Sequence, residues 1–102
     1  MLRLSGATGG LTRLDVAVAW SPAGLEAALR LAGSLRMFGM RAVLDTEPRR
    51  LAAALEWRSA LGAAHLLHVG GGPTVAWSAG ASSRVRRLPA EQVVARLAEP
   101  DG

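Results

Sequence analysis

A cluster of three glycines, at residues 70–72, limits what this chain can fold into more than any other feature of the sequence. The segment before it, residues 65–69, is a short apolar run, and the segment after it, residues 74–78, alternates apolar and polar side chains as a strand does. So short a connection between two strands forms a hairpin and makes the strands antiparallel. A phosphate-binding loop would instead lead from a strand into a helix. We therefore predict a turn here and not a phosphate loop.

Three apolar runs, at residues 13–20, 40–45 and 65–69, are separated by segments with helical spacing. Strand–helix–strand units join parallel strands by right-handed crossovers, which places these strands in the order 2-1-3. The hairpin adds strand 4, and residues 83–88 form strand 5 at the sheet edge, before a last helix that begins at Pro89. The predicted fold is a three-layer α/β/α domain with three helices and a five-stranded mixed sheet in the order 2-1-3-4-5, with only strand 4 antiparallel.

The first two helices have recognisable ends. Ser21 is expected to cap the first helix, with Pro22 in its first position, and Gly39 to end it. The second helix is expected to begin after a cap at residue 45 or 46, with Pro48 in its first turn, and to run to Leu61, where Gly62 ends it. Their predicted apolar faces comprise Leu25, Ala28, Leu29, Ala32 and Leu35 in the first helix, and Leu51, Ala54, Leu55, Trp57 and Leu61 in the second.

The composition is that of one folded domain. The chain has 102 residues, half of them apolar and a fifth charged, with a formal net charge of +4 and no cysteine, which excludes disulfides and thiolate-held metals. The first residues lack the apolar run of a signal peptide, and no apolar stretch approaches the ~20 residues of a membrane span. We expect a cytoplasmic protein with no membrane partner, with a flexible lead-in at residues 1–12, one domain at 13–98 and a tail at 99–102.

Three stretches carry a resemblance to a known family: DVAVAW at residues 15–20, LRMFGMRAVLD at 35–45 and ALEWRSALGAAHLLHVGG at 54–71. Their order and spacing resemble the C-terminal anticodon-binding domain of class II aminoacyl-tRNA synthetases, most closely that of histidyl-tRNA synthetase, over roughly residues 14–97. The residues at the family's typical positions are Leu35, Arg36, Gly39, Asp45, Leu61, Gly62, Ala63 and Gly70.

The sequence departs from the family in three ways. The acidic turn after the third strand is replaced by Gly71, Gly72 and Pro73, and Arg58 stands where a small alanine is usual. The chain also lacks the catalytic domain, with its ATP-binding arginines and histidine pocket, so the resemblance implies a module that is not a ligase. It implies binding to tRNA or other structured RNA, or a role as an accessory subunit.

Arginines form two clusters that could contact RNA phosphates. Arg49 and Arg50 lie in the first turn of the second predicted helix, where cations oppose the helix dipole. In strand 5, Arg84 and Arg86 share one face and Arg87 takes the other. An alternative for strand 5 is that its charges prevent edge-to-edge aggregation. The predicted RNA-binding residues are Arg49, Arg50, Arg84, Arg86 and Arg87.

A crevice is expected where the strand order reverses between strands 1 and 3, because open α/β sheets bind ligands at such points. The predicted lining residues are Trp20, Ser21, His68, Gly70, Gly71 and Gly72. His65 and His68 are three residues apart on one strand and so point to opposite faces, which argues against a shared metal. No nucleophile has an adjacent base and no carboxylates pair by spacing, so we expect no catalysis and no cofactor.

Three other roles remain open from the sequence. The first is a regulatory protein-interaction module, like the histidyl-tRNA synthetase paralogues that regulate ATP phosphoribosyltransferase in histidine biosynthesis, which the missing acidic turn favours. The second is a small-ligand-binding module that uses the crevice. The third is a piece of a longer synthetase-like protein. The leading hypothesis is a free-standing, non-catalytic domain that binds RNA.

Overall fold

The computed structural model describes residues 15–80 and 84–98. They form five strands and three helices, and a short 3₁₀ turn at Pro22–Gly24 joins the first strand to the first helix. The strands are β1 (Val16–Trp20), β2 (Ala42–Leu44), β3 (His65–Val69), β4 (Val75–Ala79) and β5 (Arg86–Leu88), and the helices are α1 (Leu25–Met37), α2 (Leu51–Leu61) and α3 (Ala90–Ala98). The predicted lead-in and tail, and the first two residues of predicted strand 1, lie outside this part of the chain.

The sheet has the predicted topology. Its order is β2-β1-β3-β4-β5, with β2 and β3 parallel to β1, and β4 antiparallel to both β3 and β5. Short connections and right-handed crossovers were therefore sufficient to predict the fold class. The glycine cluster is a turn between β3 and β4, as predicted. Strand β5 is the edge strand that the sequence indicated, but it comprises only the last three residues of the predicted strand 83–88.

Two apolar layers hold the helices on the sheet, because alternate side chains of a strand point to opposite faces. On one face, Val16 and Val18 of β1 pack with Leu35 of α1 and Val93 of α3. On the other face, the smaller β1 side chains pack with Ala54 of α2. All five residues of β1 are buried, as expected for a central parallel strand.

Both predicted helix starts are wrong. Ser21 makes no side-chain cap, and its carbonyl instead accepts the Gly24 N–H at 2.7 Å to close the 3₁₀ turn, so α1 begins at Leu25. The second helix, α2, begins at Leu51 and not near Pro48, with Arg50 at its N-cap. Asp45 does not cap it because its carboxylate accepts the Glu47 N–H and the Arg49 guanidinium. The predicted ends, at Gly39 and Gly62, are confirmed by their positive φ angles.

The predicted apolar face of α1 is wrong at two positions, since Leu25 and Leu29 are 38% and 52% exposed while Leu31 is buried. Arg36, two turns after Leu29 on the same flank, donates from Nη2 to the Ala42 carbonyl at 3.0 Å. That carbonyl lies on the outer edge of β2, where the sheet ends. Leu25 and Leu29 lie on this flank of α1, and neither belongs to an apolar cluster of the described residues.

Close backbone packing joins the 3₁₀ turn to the β3–β4 turn. A Cβ added to Gly24 would lie 2.1 Å from the Val69 carbonyl oxygen, and one added to Gly71 would lie 2.8 Å from the Ala23 carbonyl oxygen. Gly71 also has a φ of +87°, a conformation that L side chains rarely adopt. These two glycines fix the position of the loops at the carboxyl ends of β1 and β3.

Candidate functional site

A crevice of about 360 Å³ lies at the carboxyl ends of β1 and β3, where the strand order reverses. It is lined by Ser21, Pro22, Pro48, Arg49, Arg50 and His68. Two of the six residues that the sequence placed in this crevice, Ser21 and His68, are among them. The described lining residues include two arginines and no carboxylate, although the charge of Arg49 is paired with the Asp45 carboxylate.

The other four predicted lining residues lie beside or beneath the crevice. Trp20 is only 8% exposed, and its indole Nε1–H donates to the Asp45 carbonyl at 2.9 Å. Gly70 stands next to Ser21, since a Cβ there would lie 3.7 Å from the Ser21 Oγ. Gly71 packs on Ala23, and Gly72 is exposed in the same turn. None of these four residues lines the crevice, so four of the six predicted lining residues lie outside it.

Arg49 is fixed in place by four contacts. Its guanidinium forms an ion pair with the buried Asp45 carboxylate and lies 5.2 Å from the centre of the Trp57 ring. Its backbone N–H donates to the Trp20 carbonyl at 2.9 Å. Its carbonyl lies 2.6 Å from His68 Nε2, and because a carbonyl only accepts, His68 carries a proton on Nε2. Arg49 therefore ties β1, β3 and α2 together, and its charge is largely neutralised.

Arg50 and Arg87 have more freedom on this same face of the sheet. Arg50 is exposed at the N-cap of α2, whose first turn has no side-chain cap. Arg87 pairs with Ala76, and Ala76 pairs with His68, so Arg87 points to the same face as His68 from two strands away. Strand spacing puts the His68 and Arg87 backbones roughly 10 Å apart. Arg50 and Arg87 thus flank the crevice region from two sides.

Arg84 and Arg86 belong to a different site, on the face that α1 and α3 cover. Arg86 pairs with Trp77 in the sheet register, and its guanidinium lies 5.4 Å from the centre of the Trp77 ring. Trp77 packs against the apolar core that lies under α1 and α3. Arg84 lines a cavity together with Trp77 and Arg86. The five predicted RNA-binding arginines are therefore split between two faces of the sheet and do not form one continuous strip.

His65 supports Trp77 from β3. The Trp77 Nε1–H donates to His65 Nδ1 at 3.2 Å, a contact that requires a lone pair on Nδ1. Burial lowers the pKa of His65 below its usual 6.5; the Asp15 carboxylate opposes this effect, and the Arg58 guanidinium adds to it. His65 faces the α1 side of the sheet, whereas His68 faces α2. Among residues 15–80 and 84–98, no group of three or more acidic or histidine side chains could hold a metal ion.

The sequence drew attention to Asp45 as a possible helix cap and to Arg58 as a departure from the family, but it did not predict that either is buried. Both are 4% exposed. Arg58 donates from Nη1 to the Ser78 Oγ at 3.4 Å and to the Gly80 carbonyl, which links α2 to the end of β4. A signal for Arg58 was present, since it lies one turn after Ala54 on the apolar face of its helix.

No helix in the described part of the chain is long and apolar enough to span a membrane.

Comparison with known proteins shows the fold. Histidyl-tRNA synthetase from S. aureus superimposes with a TM-score of 0.72 at 15% identity, over 91% of this chain and 25% of that one. The RNA binding domain of threonyl-tRNA synthetase from Cryptosporidium parvum Iowa II superimposes with a TM-score of 0.68 at 14% identity, over 84% of this chain and 23% of that chain. The chain thus spans about a quarter of either length. The predicted anticodon-binding-domain-like fold is confirmed, while no family model and no curated protein matches the sequence.

Proposed function

We propose that this domain binds tRNA or another structured RNA, without catalysing a reaction of its own. The observation that carries the proposal is the fold that the chain shares with the RNA binding domain of threonyl-tRNA synthetase. The net charge of +4 is consistent with a phosphate-rich partner. We expect the purified chain to show no aminoacylation and no histidine-dependent pyrophosphate exchange.

The crevice face is the main RNA surface in this proposal. Arg50 lies at the N-terminus of α2, where a cation costs the helix a few tenths of a kcal/mol, so helix stability does not account for it. The same position lets Arg50 and the uncapped N–H groups of the first turn of α2 act on one phosphate. Arg87 supplies a second contact on this face. Arg49, which is paired with Asp45, positions the segment and makes little direct contribution.

The salt dependence of tRNA binding tests this proposal. Each phosphate neutralised in a single-stranded region contributes about −0.7 to the log–log salt slope, so the contacts of Arg50 and Arg87 together contribute about −1.4. We expect Arg50→Ala combined with Arg87→Ala to flatten the slope by about 1.4. The matched control removes two exposed charges from the helices of the other face, Arg30→Ala with Arg96→Ala, and should leave the slope nearly unchanged. Wild-type protein that shows no salt-sensitive binding near 50 mM salt would exclude the RNA role.

A protein-interaction role is the second candidate, because one observation favours it. Met37 and Phe38, at the end of α1, are 88% and 62% exposed, and Phe38 lines a groove between α1 and α3 with Leu31 and Val94. Large exposed apolar side chains in a groove are typical of protein contacts. A synthetase-like or histidine-biosynthesis partner that co-purifies at high salt, and is lost on Phe38→Ser, would favour this role over RNA binding.

A further inference from the structure

Arg86 and Trp77 form a cationic platform on the face of the sheet opposite to the crevice. The Arg86 guanidinium lies 5.4 Å from the centre of the Trp77 ring, and the residue is exposed. Trp77 is itself held from below, since its Nε1–H donates to His65 and the two rings lie 5.9 Å apart at an angle of 50°. The guanidinium is therefore pre-oriented by a ring that cannot easily turn.

Arg86 also keeps its charge available. Within residues 15–80 and 84–98 it makes no ion pair with a carboxylate. An aromatic ring attracts a cation without neutralising it, so the guanidinium still offers N–H donors to an anion. The plane of a guanidinium is also a surface on which nucleic-acid bases stack. The platform therefore combines a planar stacking surface with a positive charge.

The adjoining cavity indicates the class of ligand. It has a volume of about 500 Å³, which suits a small ligand, and it is lined by Trp77, Ala79, Arg84, Val85 and Arg86. The apolar side chains provide a wall for a flat, weakly polar group, and the two arginines provide partners for an anion. A carboxylate side chain or a free phosphate would use the arginines and leave the apolar wall uncovered. A nucleotide would use both parts.

We infer that this cavity binds one unpaired nucleotide of the RNA, with its base stacked on Arg86 over Trp77 and its phosphate held by the arginine side chains. This inference rests on the proposed function, and it adds a second contact site on the opposite face of the sheet. A base inside a helix has both faces covered by its stacked neighbours, so the site selects single-stranded segments, loops or ends.

Binding of a single-stranded hexanucleotide distinguishes stacking from simple charge attraction. Arg86→Ala should weaken binding about fivefold, which corresponds to the lower end of stacking energies. Arg86→Lys keeps the charge but not the plane, and should lose nearly as much. Arg96→Ala, which removes an exposed charge on α3, is the matched control and should change little. Arg86→Lys binding as wild type, or Arg86→Ala losing no more than the control, would overturn the inference.

Nuclear magnetic resonance of the Trp77 indole N–H, assigned with Trp77→Phe, tests the site without any long RNA. Adenosine 5′-monophosphate should shift this signal more than ribose 5-phosphate or inorganic phosphate does. Equal shifts with all three probes would show an anion site without stacking, and tighter binding of an acidic peptide would show a protein site; either result overturns the inference.

Sedimentation of Arg86→Ala provides a further test. If this variant self-associates while its hexanucleotide affinity is unchanged, Arg86 serves to prevent edge-to-edge aggregation, and the inference is overturned. Failure of tRNA to bind would sink the proposed function, whereas failure of the adenosine 5′-monophosphate shift would sink this site.

Discussion

An arginine lies over a tryptophan at two places in this domain, and the surroundings give the two pairs different roles. At the carboxyl edge of the sheet, Arg49 lies 5.2 Å from the Trp57 ring centre and is paired with a carboxylate that is only 2% exposed. On the β5 edge, Arg86 lies 5.4 Å from the Trp77 ring centre, and the ring is supported by a neutral histidine nitrogen. The ring contact is nearly the same, so the difference comes from the charge beside it.

A buried carboxylate turns an arginine into part of the framework. Removing the arginine would leave the buried Asp45 carboxylate without a counter-charge, which is costly. The Arg49 guanidinium therefore stays paired with Asp45 and contributes little to binding an external anion. The Arg86 pair has no such counter-charge in the part of the chain that the structure describes, and its guanidinium keeps a net positive charge toward solvent. We therefore assign positioning to the first pair and ligand contact to the second.

The largest expected effect concerns the rigid packing at the carboxyl edge. Gly24→Ala would place a Cβ 2.1 Å from the Val69 carbonyl oxygen, so the backbone of one of the two turns must move. We expect a loss of about 4 kcal/mol in the free energy of unfolding, measured by urea denaturation. Gly33→Ala is the matched control: a Cβ there meets nothing within 4 Å, and helix propensity predicts a gain of roughly 0.5–1 kcal/mol. Similar results for both variants would contradict a rigid carboxyl edge.

The next effect separates the two arginines directly. Arg49→Ala leaves the buried Asp45 carboxylate without its cation and should destabilise the domain by about 3 kcal/mol. Arg86→Ala removes only an exposed cation–π contact and should cost less than about 1 kcal/mol. Urea denaturation of both variants measures the difference. Adding Asp45→Asn to Arg49→Ala should recover part of the loss, because the stranded charge is then absent; a double variant no better than Arg49→Ala would point to lost packing on Trp57 instead.

The sequence predicted the framework of this site better than the contacts within it. Glycines, prolines and apolar periodicity are local signals, and they were sufficient for the sheet order and for the turn at residues 70–72. The partners of Arg49 lie 4 to 29 residues away, on β1, β3, α2 and the loop after β2, and no local pattern indicates that its carbonyl meets His68. The helix starts failed for a related reason: Asp45 and Ser21 are good caps by type, but the fold uses Asp45 for Arg49 and uses the Ser21 backbone in a tight turn.

The face of each arginine could be predicted only in part. Period-two alternation placed Arg86 and Arg87 on opposite faces of strand 5, and the observed register agrees. The face that holds the crevice is the one on which α2 packs. Whether Arg86 or Arg87 points to that face also depends on how β4 pairs with β3 and β5. The register between β4 and β5 decides which residue pairs with Arg86. That register depends on how many residues the turn between the two strands contains, and the sequence does not give this number. The sequence therefore did not indicate that Trp77 supports an arginine.

The smallest expected effect is the pH dependence that His65 gives to the Trp77 pair. Burial lowers the pKa of His65 in the folded protein, so near pH 6 the unfolded chain binds more protons than the folded one. Stability should therefore be fully present above the unfolded pKa of about 6.5, fall as the pH drops through that value, and level off below the folded pKa. His65→Gln keeps an acceptor for the Trp77 N–H and does not titrate, so its urea midpoint should change less between pH 8 and pH 5.5. The variant keeps His68, and the difference between the two proteins therefore isolates His65. An equal loss in both would show that Trp77 does not depend on a neutral His65, and the Arg86 platform would then lose its proposed support.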